Sequence, residues 1–293
     1  MINSKLRNQA VKWLGNSLSS KKQVFLSCLP TPRYFADYQL EHRKMTESDV
    51  VQGLQEVRDR IKTAVLKRPE GSTGIEPRLV AVSKTKPKQL IIAAYNVGQR
   101  HFGENYVQEL DEKSHDPELL EICPDIRWHL IGHLQRNKVN KVAQMPNLYM
   151  VETVDTEKLA SALNTSYEKY RKKPDCRLKV MIQVNTSGEE EKSGCSPDMA
   201  ASLYLFVQEK CPALEAVGLM TIGQYGYDVS NGPNPDFLGL VKCRKEVASK
   251  MGVDEHTIEL SMGMSTDYAD AIELGSTSVR VGTSIFGARE KKK

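Results

Sequence analysis

The sequence predicts an α/β fold, a single (β/α)8 barrel of the TIM type preceded by an N-terminal helix, and three observations predict it. From residue 79 onward, short apolar runs of strand length alternate with longer amphipathic segments. Eight such runs occur, the count of a closed parallel barrel of about 250 residues. Small and polar residues gather at the C-terminal ends of the runs, the face on which such barrels carry their sites. A doubly wound open sheet uses the same alternation, so only the count and the polar strand ends favour the barrel.

Residues 1 to 46 differ from everything after them. The first 36 contain six basic residues (Lys5, Arg7, Lys12, Lys21, Lys22 and Arg33) and no acid, leaving 35 of the 41 Lys and Arg against 37 Asp and Glu. The net charge of +4 is therefore no argument for nucleic-acid binding, and no nucleic-acid partner is expected. A Ser-rich, basic, acid-free start fits an organellar transit peptide; a disordered extension, or an upstream start whose functional equivalent is Met45, fits as well. The expected domains are an extension over 1–46 and a barrel over 47–290, in a cytoplasmic protein for which mitochondrial targeting stays open. No run of 18 apolar residues occurs, so no membrane partner is expected.

The helix preceding the barrel starts at Thr46 or Ser48 as N-cap and places Val50, Val51, Leu54, Val57, Ile61 and Val65 at helical spacing. The strands follow at Leu79–Ser83, His101–Glu104, Trp128–Gly132, Leu148–Thr153, Leu178–Val184, Val217–Ile222, Ile258–Ser261 and Ser278–Gly282. One helical segment is expected between each pair: Pro87–Val97, Asn105–Lys113, Gln135–Gln144, Thr156–Lys172, Pro197–Glu209, Pro235–Met251 and Thr266–Leu274. The six cysteines lack C-x-x-C spacing and read as reduced packing residues. His129 and His133 are four apart, but Gly132 and the β-like run around them argue against a helix, so no metal pair is expected.

The first strand runs into Lys84, in phase with Val80 and Val82. A lysine on an interior face needs a partner or a purpose. The last two strands run into Ser261-Met262-Gly263-Met264-Ser265 and Arg280-Val281-Gly282-Thr283-Ser284. Each loop alone is an ordinary turn. Together they fall where barrels hold phosphate, with glycines that admit an anion to the backbone and hydroxyls that donate to it. Arg280 shares a face with Ser278 and Gly282 and points inward, either to a ligand or to a buried carboxylate such as Glu152 or Glu259. An inward lysine, an inward arginine and a phosphate cradle in one mouth suggest a phosphorylated aldehyde bound as a Schiff base through the neutral amine. Lys86 belongs to the loop before Pro87 and Lys88 to the helix, so Lys84 is the candidate amine.

The stretches LVAVSKTKP, FGENYVQE, WHLIGHLQRNK, VMIQVNTSGEEEKSG, GLMTIG and LSMGMSTDYADAIELGSTSVRVGTSIFG carry a resemblance. Over about Val50 to Arg289 the chain resembles the pyridoxal 5′-phosphate homeostasis proteins, also called the proline synthase co-transcribed family. The resemblance implies a barrel similar to the N-terminal domain of alanine racemase, with pyridoxal 5′-phosphate as cofactor and Lys84 as its covalent attachment. It further implies Arg280 facing the pyridine nitrogen, Gly282 and Thr283 holding the phosphate with help from Ser261, Gly263 and Ser265, and Asn105 near the ring. An arginine at that nitrogen leaves it unprotonated and weakens the ring as an electron sink. Racemases add a β-rich domain that donates a second base, whereas only four residues follow Arg289 here. The expectation is a cofactor carrier and regulator in vitamin B6 and amino-acid homeostasis, monomeric, without strong catalytic activity and with apoenzymes as recipients. The alternatives are a racemase or related enzyme using the same cofactor, and a phosphosugar enzyme in which Lys84 is an aldolase-type amine.

Overall fold

The computed structural model describes residues 45–288 apart from residues 71, 73, 172, 190 and 225. The N-terminal extension with Cys28, and the last five residues, lie outside the described residues.

The chain enters through helix α1 (Glu47–Val65). Thr46 caps it through a capping box with Asp49, worth about 1 kcal/mol. Its stripe of Val50, Leu54, Val57 and Ile61 is buried, as the spacing predicts, whereas Val51 of the same expected set is exposed and Val65 half-buried. There follow β1 (Arg78–Val82), α2 (Lys88–Asn96), β2 (His101–Glu104), α3 (Val107–Ser114), α4 (Pro117–Ile122) and β3 (Arg127–Leu130). A 3-10 turn (Arg136–Lys138) leads to α5 (Val139–Val142), β4 (Leu148–Val154), α6 (Glu157–Tyr170), β5 (Leu178–Gln183) and α7 (Pro197–Lys210). The remainder is β6 (Leu214–Met220), α8 (Pro235–Met251), β7 (Glu259–Ser261), α9 (Tyr268–Glu273), β8 (Ser278–Val281) and α10 (Thr283–Phe286).

The eight strands pair in parallel in chain order, and β8 returns to β1 with Val80 beside Arg280, so the sheet is a closed barrel. Alternation sorts each strand into two faces. Ala81, Phe102, Leu130, Val151, Ile182, Leu219, Leu260 and Val281 join the main core between sheet and helices. Met150, Met181 and Met220 form a second, smaller cluster. At the N-terminal end of the barrel Arg78 pairs with Glu259 through two hydrogen bonds of 2.5 and 3.0 Å.

Several expectations are corrected. Two helices, not one, separate β2 from β3: Asp116 caps the six-residue α4, which has Pro117 in its first turn. The helix expected over Gln135–Gln144 is a 3-10 turn followed by one short α-helix, because residues 135–138 are exposed and burial begins at Val139. Strand β6 starts at Leu214, three residues before the expected Val217, since Leu214, Glu215 and Ala216 pair with Leu178, Lys179 and Val180. Cys176 is exposed and Cys195 half-buried, while Cys123, Cys211 and Cys243 are packing residues. As the sequence predicts, His129 lies in β3 and His133 in the loop after it, so the two do not share a helix.

Candidate functional site

At the C-terminal mouth of the barrel, Lys84 follows β1 and is half-buried. Its neighbours are held. Ser83 donates from Oγ to Glu104 at 2.7 Å, and the Thr85 N–H donates to Glu109 at 2.6 Å. Thr85 has φ of 63°, a left-handed conformation that a β-branched residue adopts only under constraint.

Asn105 follows β2, and its buried Oδ1 has no hydrogen-bond partner. Such an orphan acceptor is costly unless a further group meets it. The loops after β2 and β3 lie so close that a Cβ on Gly132 would come within 2.0 Å of the Asn105 carbonyl oxygen.

The loop after β7 turns through Gly263, whose φ is 95° and whose place a side chain cannot take, because a Cβ would meet Ala271 at 2.6 Å. The two expected anion loops touch. Ser265 Oγ accepts from the Gly282 N–H at 3.1 Å, which leaves the hydroxyl proton of Ser265 for another acceptor. Thr283 and Ser284 are exposed at the start of α10. Helix α1 lies directly behind this loop, since a Cβ on Gly53 would meet the Ser284 carbonyl oxygen at 2.6 Å.

Arg280 points into the barrel, with 5% exposure. Nη1 donates to Ser261 Oγ at 2.5 Å and Nη2 to the Thr221 carbonyl at 2.7 Å, engaging two of its five N–H groups. Ser261, expected beside the phosphate loops, is fully buried and donates to Glu152 Oε2 at 2.6 Å. The other oxygen of Glu152 lies 2.7 Å from His129 Nδ1, and His129 Nε2 lies 2.8 Å from His101 Nδ1. A hydrogen-bonded column thus crosses the barrel from Arg280 to His101, the first residue of β2. Burial pushes the Glu152 carboxyl up, but the His129 hydrogen bond and charge, Arg280 and Ser261 hold it at about 2. An ionised Glu152 requires a proton on His129 Nδ1. Burial lowers Arg280, opposed by Glu152 and Asp267. Of the two carboxylates weighed for Arg280, Glu152 lies 4.0 Å from Nη1 and Glu259 belongs to Arg78.

The mouth therefore combines an amine, a guanidinium fixed at depth and two touching Gly-Ser loops, a donor set for a phosphorylated carbonyl compound. Sequence reasoning missed the groups behind it: His129, Thr221, Glu104, Glu109 and Lys113. The Glu109–Lys113 pair was legible as an i,i+4 pair on a helix. The others show only once the strands are paired.

Residues 58–290 match the family model described as "Alanine racemase, N-terminal domain". The pyridoxal phosphate homeostasis protein of Homo sapiens is 53% identical over 240 residues, 82% of this chain and 86% of that one. The chain belongs to the pyridoxal phosphate homeostasis protein family. The Vibrio cholerae member of that name is 39% identical over 248 residues, 82% of this chain and 97% of its own. Among solved structures, PipY of Synechococcus elongatus with PLP bound is similar with a TM-score of 0.65 and 29% identity, covering 81% of this chain and 100% of that one. Alanine racemase from Corynebacterium glutamicum, at 14% identity and a TM-score of 0.58, shares the fold over 84% of this chain and 62% of its own. In this member of the pyridoxal phosphate homeostasis family, the matched residues 58–290 include all eight strands of the barrel.

Proposed function

We propose that this chain binds pyridoxal phosphate as a Schiff base on Lys84 and serves as a carrier and regulator in vitamin B6 and amino-acid homeostasis, without strong catalytic activity. The observation that carries the reading is the joint presence of Lys84, Arg280 and the two Gly-Ser loops in one mouth, in a chain 53% identical to a curated pyridoxal phosphate homeostasis protein. The residues fit the cofactor. Asn105 offers an orphan buried acceptor, and Ser265 keeps a hydroxyl proton for a further acceptor. The cofactor, when bound, supplies an aldehyde and a ring that can withdraw electrons.

In this reading Lys84 would hold the cofactor covalently, its neutral amine meeting the aldehyde that the cofactor supplies. Arg280 would meet the ring nitrogen, its guanidinium held by Ser261, which itself donates to Glu152. Gly263, Ser265, Gly282 and Thr283 hold the phosphate, while Asn105 lies beside the ring. Since Arg280 is always protonated, the ring nitrogen stays an acceptor and withdrawal of electrons from a bound amino acid is weak. The match covers all of the PipY chain, which supports a binding unit of barrel size. We take 47–290 as the binding domain, 1–46 as an N-terminal extension, the unit as monomeric, and apoenzymes that use the cofactor as recipients. Among the described residues no helix is long and apolar enough to cross a membrane.

The test is spectroscopic. Purified full-length protein incubated with pyridoxal phosphate is expected to show the imine absorbance band, and Lys84→Ala to lose it; persistence of the band in that variant refutes the assignment of the amine. Incubation with L-amino acids in heavy water then separates carrier from enzyme, because Cα deuterium exchange at enzymatic rates requires a positioned base.

A further inference from the structure

Behind the mouth, on the outer face of the sheet, lies a charged cluster. Glu104 at the end of β2 is fully buried, although its side chain is a carboxylate. Lys113 on α3 reaches it at 2.8 Å, reaches Glu109 one turn back at 2.7 Å, and donates to the Ser83 carbonyl at 2.9 Å. All three ammonium hydrogens of Lys113 therefore have acceptors. The carboxylates in turn hold the residues on both sides of Lys84: Glu104 accepts from the Ser83 hydroxyl and Glu109 from the Thr85 backbone N–H.

We propose that Glu109 and Glu104, joined through Lys113, are positioning residues that aim Lys84 at the bound aldehyde. The proposal rests on the reading that Lys84 carries pyridoxal phosphate. Two features favour positioning over general stabilisation. Burying a carboxylate is expensive and a buried ion pair adds little net stability, so the placement of this one calls for another role. The cluster also holds Thr85 at φ of 63°, a strained conformation that persists only when its surroundings impose it. A charge-assisted hydrogen bond of 2.6 Å from the Thr85 amide to Glu109 supplies that constraint. The direction in which Lys84 leaves the strand is set by the peptide between these two anchors. Glu104 and Asn105 are consecutive, so the same segment that holds the lysine's backbone also carries the expected ring contact.

The experiment uses the full chain and pyridoxal phosphate itself, with imine absorbance, binding affinity and Tm read on each variant. Glu109→Ala is expected to weaken binding about tenfold and to slow imine formation, with Tm nearly unchanged. Glu109→Gln, which can still accept from the Thr85 N–H, restores part of the loss. Thr85→Gly relieves the left-handed strain, so it keeps or raises Tm while still weakening imine formation. If Glu109→Ala does not fold, Thr85→Gly and Glu109→Gln decide the question. Binding in the folded variants within twofold of wild type, or losses that merely follow Tm, overturns the positioning role. A wild-type protein that forms no borohydride-stable adduct at Lys84 overturns the underlying reading and this inference together, an outcome distinct from equal adducts in wild type and variants.

Discussion

Arg280 and Glu152 show how a single inward residue becomes useful. A guanidinium at the depth of a barrel needs a counter-charge, and Glu152 provides one through Ser261 while keeping its second oxygen for His129. The column ends at His101, where burial and the charges of His129, Arg78 and Arg127 hold the ring down at about 3. In the unfolded chain that ring titrates near 6.5, so between about pH 6.5 and 3 the unfolded state binds a proton that the folded state does not. Stability therefore rises with pH across this window and is lost on acidification. Glu152, lowered from 4.5 to about 2, contributes stability that is present above 4.5 and lost only as pH falls towards 2. The expected outcome is a Tm that falls between about pH 7 and about 5, with a shallower slope in His101→Gln, whose amide can still meet His129. Equal slopes in the two proteins would show that His101 is not held neutral.

The strands were legible because each is a short apolar run that leads into small or polar residues at the mouth, where Lys84, Asn105, Ser265 and Gly282 follow β1, β2, β7 and β8. Other elements obey forces that a window of sequence does not contain. Leu214-Glu215-Ala216 has residues of helical preference and becomes strand only because β5 pairs with it. Helix α4 carries a readable Asp-Pro start but is six residues long, below the length at which periodicity speaks. Of the outward cluster only the i,i+4 pair of Glu109 and Lys113 was legible; Glu104 joins it where the end of one strand meets the helix beside it. Helix α1 shows the same limit: its buried stripe was plain, but its role behind the anion loop depends on the missing side chain of Gly53. Gly53→Ala should push α1 from the Ser284–Ile285 backbone, costing roughly 1–3 kcal/mol of stability and weakening phosphate binding by the loop. Thermal unfolding with and without inorganic phosphate measures both effects, and an unchanged Tm would remove α1 as the support of that loop.

Over the whole molecule, charge and chemistry are segregated. The basic excess lies in the first 36 residues, while the rest is near neutral, so the proposed site would rely on placed donors and not on a general field. The closed barrel makes those placements rigid: β8 beside β1 sets Arg280 level with Val80, four residues before Lys84. The central claim is that Lys84 is the point of attachment, and reductive trapping addresses it most directly. Full-length protein is incubated with pyridoxal phosphate, reduced with borohydride, digested and mapped by mass. The account predicts one dominant modified lysine, Lys84, absent from the map of Lys84→Ala; a dominant adduct on Lys86, Lys88 or any other lysine, or none at all, would contradict it.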